Sequence, residues 1–138
     1  MAVASTDHEL REILTQARTI AVVGASADPA KPSHEVAAYL QAQGYRIIPV
    51  NPRGGTILGE TVYPNLRAVP VPIDLVDVFR PPADCAPIAE EAVAVGAKAL
   101  WLQLGIANAD AARIAEAGGL RVVMDHCTLV EHRRLVAK

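Results

Sequence analysis

An apolar segment that runs directly into a glycine, with a helix start a few residues later, most limits what this chain can fold into. Residues 20–23 are continuously apolar, Gly24 follows at once, and Pro32 and Ser33 favour a helix start, which Ser33 can cap. A continuous apolar run of this kind is typical of a parallel strand covered on both faces. The sequence therefore predicts the first strand, loop and helix of a Rossmann-type sheet, where such a loop holds a phosphate.

Strand and helix patterns alternate along the rest of the chain. Before the first strand, Thr6 and Glu9 form a capping box, and an amphipathic helix is predicted over 7–17. Further strands are predicted over 46–50, 74–79, 98–103 and 121–124. Further helices are predicted between Ser33 and Gly44, between Asp84 and Gly96, between Asn108 and Gly118, and over 128–136. Asp84 and Asn108 are each expected to cap the helix that follows them.

This alternation predicts an α/β fold, with a doubly wound parallel sheet of about five strands in the order 3-2-1-4-5. All 138 residues are expected to form a single domain. The exception to the pattern is segment 54–72, which is rich in glycine and proline. We expect no crossover helix there, only a short extended piece near 61–63 and one helical turn near Asn65 and Leu66.

Composition excludes several classes of function. The net charge of −2 gives no support for a nucleic-acid partner. No apolar run approaches the roughly 18 residues that span a membrane, and residues 1–7 lack signal-peptide features, so a cytoplasmic location is expected. Cys85 and Cys127 form no C-x-x-C or zinc pattern and are expected to be reduced thiols. No metal-ligand cluster or catalytic residue is predicted. Trp101 is expected in the core, and His8, His34 and His132 on helix surfaces.

The loop after the first strand does not follow the dinucleotide pattern. G-x-G-x-x-G would require glycine at the positions of Ser26 and Pro29. In an open parallel sheet, ligands bind at the carboxyl ends of the strands. The segments that follow the five predicted strands should therefore lie together on that edge. These segments are 24–26, 51–53, 79–82, 103–106 and 125–127.

Of the five segments, 51–53 distinguishes best between the possible nucleotide ligands. A NAD site usually carries an acid near the end of the second strand, but this chain has Asn51, followed by Pro52 and Arg53. An acid would repel a phosphorylated ribose, whereas an amide and a guanidinium favour one. NADP and coenzyme A both carry such a ribose phosphate. Lys31 adds a second cation on the first loop.

Seven short pieces occur in order along nearly the whole chain. They are Val-Gly-Ala-Ser at 23–26, Lys-Pro-Ser at 31–33, Gly-Tyr at 44–45, Pro-Val-Asn-Pro at 49–52, Asp-Leu-Val-Asp-Val-Phe-Arg at 74–80, Trp-Leu-Gln-Leu-Gly at 101–105 and Met-Asp-His-Cys at 124–127. With this set the chain resembles the small single-domain CoA-binding proteins, whose fold is similar to the N-terminal domain of the succinyl-CoA synthetase alpha subunit.

The resemblance implies a coenzyme A site by position. Phosphate would be held by the backbone of Gly24, Ala25 and Ser26, with Lys31, Pro32 and Ser33 closing over the pyrophosphate. Val50, Asn51, Pro52 and Arg53 would surround the adenosine and its 3′-phosphate. Phe79, Arg80 and Pro81 would flank the pantetheine, with Gln103, Gly105 and Ile106 at its far side. The glycine also allows close backbone approach, and a helix N-terminus favours an anion.

The favoured hypothesis is a module that binds coenzyme A or an acyl-CoA, in a binding or regulatory role without catalysis of its own. The resemblance to the synthetase covers only the nucleotide-binding part, and the catalytic histidine and partner subunit of that enzyme have no counterpart here. Two alternatives stay open. One is an NADP-linked oxidoreductase or sensor, which the Gly24 loop and Arg53 would serve equally. The other is an acyl-transfer enzyme that uses Cys127. The acyl group, any protein partner and the oligomeric state are not predicted.

Overall fold

A computed structural model describes residues 3–137 of the chain. Its helices are α1 (Asp7–Gln16), α2 (Pro32–Ala42), α3 (Cys85–Ala94), α4 (Ala109–Ala117) and α5 (Thr128–Leu135). Its strands are β1 (Thr19–Val23), β2 (Arg46–Val50), β3 (Thr56–Ile57), β4 (Glu60–Thr61), β5 (Leu75–Val78), β6 (Ala99–Leu102) and β7 (Arg121–Val123). Single 3₁₀ turns lie at Leu66–Ala68 and Pro82–Asp84. The predicted strands and helices are all present, with ends within a few residues of the expected ones.

Five strands form one parallel sheet in the order β2-β1-β5-β6-β7, and β3 pairs with β4 as a separate hairpin. Counted along the chain, the parallel strands follow the order 2-1-3-4-5, so the predicted order 3-2-1-4-5 is wrong. The outer edge of β2 is already occupied, because Asn51 N–H donates to the Tyr63 carbonyl and Tyr63 N–H donates to the Pro49 carbonyl. The third parallel strand, β5, therefore pairs with the other side of β1.

Asp74 holds the start of β5 beside β1. Its carboxylate accepts hydrogen bonds from the backbone N–H groups of Arg18 (2.9 Å) and Thr19 (3.0 Å), at the start of β1. The segment between β2 and β5 carries the β3–β4 hairpin and a 3₁₀ turn in place of a crossover helix, as the glycine and proline content predicts. This connection, residues 51–74, returns the chain across β2 to pair with β1.

Helices cover both faces of the sheet, which confirms the doubly wound α/β class. On one face α1, α2 and α5 contribute Leu14, Leu40 and Leu129 to a core that includes Ile20 and Trp101. On the other face α3 and α4 pack small residues, among them Ala89, Ala92, Ala111 and Ala115, against Val76 and Leu100. Trp101 is fully buried, as expected. No helix in the described range, residues 3–137, is long and apolar enough to cross a lipid bilayer.

Two of the predicted helix caps form and two do not. Thr6 and Glu9 form the capping box, and the Asn108 side chain accepts from Ala111 N–H at 2.9 Å. Ser33 is not a cap: Pro32 takes the first helical position, the N-cap is Lys31, and Ser33 is buried inside the first turn. Asp84 occupies the N-cap of α3, but its carboxylate binds the Arg80 guanidinium instead of the helix amides.

The expectation that His132 lies on a helix surface is wrong. This side chain is buried between α1, α2 and the segment before β2, with its Nδ1 2.8 Å from the Tyr39 hydroxyl. The rings of Tyr39 and Tyr45 both meet the imidazole edge-to-face. Burial lowers the pKa of His132 below its ordinary value.

Gly24, directly after β1, lies against the backbone of Phe79, directly after β5. Its φ is +88°, and a Cβ built there would lie 2.7 Å from the Phe79 carbonyl oxygen. This position therefore requires glycine for two structural reasons, a left-handed backbone and a neighbouring backbone atom. From the sequence, this glycine was expected to let a phosphate approach the backbone, but the Phe79 carbonyl occupies the place of its missing side chain.

We therefore expect Gly24→Ala to destabilise the fold more than Gly96→Ala does. Gly96 has a similar φ of +75° but no atom within 4 Å of a built Cβ, so it is the matched control. The control should lose about 1–2 kcal/mol for the left-handed conformation. Gly24→Ala should lose about 1–3 kcal/mol more from overpacking. Urea unfolding of both variants measures this difference, and equal losses would contradict the argument.

Candidate functional site

A cavity of about 800 Å³ opens at the carboxyl ends of β2, β1 and β5. The strand order reverses between β1 and β5, and such a switch point is where open α/β sheets bind ligands. Nine of the predicted site residues line it: Gly24, Ala25, Ser26, Lys31, Val50, Asn51, Pro52, Arg53 and Arg80. The structure therefore brings the ends of the first two predicted strands together around one space.

The loop after β1 uses its first two amides within the protein. The N–H groups of Gly24 (3.0 Å) and Ala25 (3.3 Å) both donate to the Val50 carbonyl. The next two amides, of Ser26 and Ala27, donate to no protein group within residues 3–137. Backbone amides that can donate to an anion therefore lie two and three residues after Gly24, at Ser26 and Ala27.

The remainder of this loop is held by its own side chains. Asp28 N–H donates to Ser26 Oγ at 3.1 Å, and Ala30 N–H donates to Asp28 Oδ1 at 2.9 Å. These turns lead into α2, whose N-terminus carries a partial positive charge. Lys31, at the N-cap, lines the cavity, whereas Pro32 and Ser33 do not.

Asn51 locks the loops after β1 and β2 together. Its amide nitrogen donates to the Ala25 carbonyl at 3.0 Å, and its amide oxygen accepts from the N–H groups of Arg53 (2.8 Å) and Gly54 (3.1 Å). An aspartate could not donate to Ala25, so the choice of an amide here has a structural basis. Asn51 therefore positions the loop that carries Arg53, and its side chain is already committed to protein groups.

Two cations at the cavity have no carboxylate to neutralise them. Lys31 and Arg53 are exposed, and neither lies within 4.0 Å of a carboxylate oxygen in the described part of the chain. Arg80, in contrast, pairs with Asp84 at 2.7 Å. The β1–β2 side of the cavity is thus the side with uncompensated positive charge.

The opposite wall was missed by sequence reasoning. It is built by Pro64 and Asn65 before the first 3₁₀ turn and by Pro87, Ile88 and Glu91 of α3. These residues do not follow strand ends, and they reach the cavity because the turn at Leu66–Ala68 packs on α3.

Contacts within the protein use the polar groups of this wall. Glu91 accepts from Leu66 N–H at 3.3 Å and lies 3.8 Å from Arg67 Nε. Asn65 caps the 3₁₀ turn by accepting from Ala68 N–H at 2.9 Å. Pro64, Pro87 and Ile88 give this wall, opposite the cations, an apolar surface.

The other predicted site residues do not line the cavity. Gln103 is buried, and its amide nitrogen donates to Asp77 and Thr128. Gly105 N–H donates to Asp125 Oδ1 at 2.7 Å, which joins the loops after β6 and β7. Phe79 and Ile106 pack against the core, and Pro81 begins the turn before α3. The cavity therefore occupies the β2–β1–β5 half of the edge, and contacts within the protein fill the other half.

Both cysteines are free thiols, as expected. Burial raises the pKa of the Cys85 thiol, and the neighbouring Asp84 carboxylate raises it further. Cys127 is half-buried at the N-cap of α5, outside the cavity. His126 lies with Nδ1 3.7 Å from Glu131, and no hydrogen bond joins it to Cys127. Within residues 3–137 no group of three or more His, Cys, Asp or Glu side chains is placed to hold a metal ion.

Two proteins are similar to this chain over most of their own length. An uncharacterized protein of Bacillus subtilis, YneT, is 40% identical over 124 residues, which cover 90% of this chain and 92% of that protein. A solved structure of a hypothetical protein from Pyrococcus horikoshii superposes with a TM-score of 0.94 at 38% identity, covering 97% of this chain and 94% of that one.

A shorter match reaches a protein of named activity. The alpha subunit of the ADP-forming acetate–CoA ligase II of Pyrococcus furiosus is 38% identical over 65 residues, covering 46% of this chain and 14% of the subunit. The family model described as a CoA binding domain matches residues 18–133, from the residue before β1 to near the end of α5. The chain therefore belongs to the CoA-binding domain family.

Proposed function

We propose that the cavity at the ends of β2, β1 and β5 binds coenzyme A or an acyl-CoA, and that the chain is a binding or regulatory module. The observation that carries the proposal is the pair of uncompensated cations, Lys31 and Arg53, beside a second strand that ends in an amide instead of an acid. Family membership supports the same ligand. A ligand with phosphates at two separate places matches two separate cations.

The phosphates have distinct places in this proposal. The pyrophosphate lies over the loop after β1, where the Ser26 and Ala27 amides, Lys31 and the N-terminus of α2 supply positive charge. The 3′-phosphate lies at Arg53, whose backbone is held by Asn51. An arginine in this place can contact a phosphate through two N–H groups.

The two walls of the cavity suggest where the adenine and the pantetheine bind. The apolar surface of Pro64 and Ile88 suits the face of an adenine ring. The pantetheine leaves the cavity past Arg80, the one residue of segment 79–81 that lines it. The Arg80–Asp84 ion pair then marks the exit, on the side where β6 and β7 follow in the sheet.

NADP is the second candidate ligand, because its 2′-phosphate would meet the same Arg53 and its pyrophosphate the same loop. The chain would then be an NADP-linked oxidoreductase or sensor. The family supports coenzyme A over NADP, and one ligand panel separates the two.

Coenzyme A is expected to stabilise the folded chain and NAD is not. A ligand at one hundred times its dissociation constant adds about 2.7 kcal/mol to the free energy of unfolding. Thermal unfolding with coenzyme A, acetyl-CoA, NADP and NAD, followed by calorimetry, measures the ranking. NADP binding more tightly than coenzyme A would establish the second candidate, and NAD ranking first would refute both.

Arg53→Ala and Lys31→Ala test where the ribose phosphate binds. If Arg53 meets the 3′-phosphate, its loss should weaken coenzyme A by about 1 kcal/mol, since the side chain is exposed, and should leave 3′-dephospho-CoA unchanged. Lys31→Ala should weaken both ligands equally through the pyrophosphate. Arg46→Ala is the matched control, because Arg46 is exposed at the opposite end of β2. Calorimetry in which Arg53→Ala does not narrow the difference in affinity between coenzyme A and 3′-dephospho-CoA would refute this placement.

The chain alone is expected not to cleave a CoA thioester. Acyl transfer requires a nucleophile with a base in hydrogen-bond reach, and Cys127 has no hydrogen bond to His126. Purified protein incubated with acetyl-CoA and succinyl-CoA should release free thiol at the buffer rate. Release well above that rate, abolished in Cys127→Ala, would make the chain an acyl-transfer enzyme.

A further inference from the structure

Asp77 is a carboxyl group buried completely in the middle of the central strand β5. Its Oδ1 accepts from the Gln103 amide nitrogen, and its Oδ2 accepts from the Thr128 hydroxyl at 2.9 Å. The Gln103 nitrogen also lies 2.9 Å from the Thr128 hydroxyl oxygen. Three groups from β5, the residue after β6 and the first residue of α5 thus form one closed polar cluster.

No charged group compensates Asp77 within the described residues. Its partners on the neighbouring strands are apolar, Val22 of β1 and Trp101 of β6. Gln103 and Thr128 are its hydrogen-bond partners, and both are neutral.

Other titratable side chains on this face of the sheet are committed elsewhere. On α5, Glu131 pairs with Arg134 (2.6 Å) and His126 (3.7 Å), and His132 bonds Tyr39 of α2. On α1, Asp7 pairs with Arg134 and Glu12 pairs with Arg121. The half-buried thiol of Cys127 precedes Thr128 in the chain and packs against this core. None of these groups forms a hydrogen bond or ion pair with Asp77.

The cluster has two hydrogen-bonding arrangements, one for each protonation state. An ionised Asp77 accepts from both Gln103 and Thr128, and every donor is used. A protonated Asp77 must itself donate, so the Thr128 hydroxyl has to turn or the Gln103 amide has to flip its oxygen toward the carboxyl. Gain of a proton therefore reverses the direction of at least one hydrogen bond.

The two arrangements lie close in free energy around neutral pH. Complete burial raises the pKa of Asp77 to about 7, against the hydrogen bonds from Gln103 and Thr128, which lower it. An aspartate in an unfolded chain has a pKa of about 3.9.

We propose that Asp77, Gln103 and Thr128 form a proton-controlled latch that ties the start of α5 to the centre of the sheet. The latch acts on the turn 125–127, between β7 and α5. Further contacts also hold that turn. Trp101 Nε1 donates to the His126 carbonyl at 2.8 Å, Asp125 accepts from Gly105 N–H, and the Asp125 and His126 amides donate to the carbonyls of Ile106 and Leu102. Asp125 adopts a left-handed φ of 60°, which costs free energy and needs such contacts.

The latch makes folding depend on pH in a defined direction. The folded chain holds the Asp77 proton more tightly than the unfolded chain does. The contribution of this proton to the stability of the fold is therefore fully present below about pH 4. It is lost as the pH rises toward 7 and changes no further above that. The folding equilibrium constant should fall by about tenfold per pH unit across this window.

Asp77→Asn removes the charge and keeps the shape, since an asparagine can donate to Thr128 and accept from Gln103. We expect the ratio of wild-type to variant folding constants, from urea unfolding at pH 4 to 8, to fall steeply up to pH 7 and then level. Asp110→Asn is the matched control, an exposed carboxylate on α4 paired with Arg113, and it should give a flat ratio. A flat ratio for Asp77→Asn would overturn the proposal.

Wild-type protein supplies a measurement that does not depend on the variant folding. The ¹³C resonance of the Asp77 carboxyl should titrate between pH 6 and 8, and the side-chain amide resonances of Gln103 should shift with the same midpoint. A carboxyl titrating below pH 5, or Gln103 amide resonances that do not follow it, would overturn the latch.

Discussion

The carboxyl ends of β1 and β5 meet at Gly24, where the Phe79 carbonyl occupies the space that any side chain would need. This contact brings the two strands on either side of the switch point close together just beyond the sheet. The Val50 carbonyl then takes the first two amides of the loop, and Asn51 bonds the same loop at Ala25. The three strand ends β2, β1 and β5 are thereby joined by backbone contacts and by the Asn51 side chain, so contacts within the protein shape the cavity wall on this side.

Charge is distributed unevenly around the cavity. Arg80 and Glu91 are each matched by a partner of opposite sign, Asp84 and Arg67, whereas Lys31 and Arg53 are left without one among residues 3–137. Since the chain as a whole carries a net charge of −2, these cations are a local feature and not a reflection of composition. A polyanionic ligand would neutralise the positive charge of these two unpaired side chains, which is the physical basis of the proposed function.

The carboxyl edge of the sheet has two halves of different character. The β2–β1–β5 half is open and lined by loop backbone and cations. The β6–β7 half is closed by contacts between its own loops, through Gly105 and Asp125, and by the buried cluster of Asp77, Gln103 and Thr128 beneath them. The proposed binding site and the proposed latch therefore lie in separate halves of this edge, connected through β5, which carries Asp77 within the strand and Arg80 just beyond its end.

Local sequence determined the helices and strands of this protein and the edge of the sheet at which the cavity opens. Apolar runs, the Thr6 and Asn108 caps and the glycines that end helices act over a few residues, so the strands, the helices and the parallel α/β class were predictable. So was the Lys31 and Arg53 side of the cavity, because strand ends gather at one edge. Tertiary structure alone decided the strand order, since Tyr63 fills the outer edge of β2 and Asp74 holds β5 against β1. It also placed Pro64 and Ile88 on the opposite wall and turned Gln103 inward to Asp77. Those outcomes depend on contacts between residues far apart in the chain, which no local pattern records.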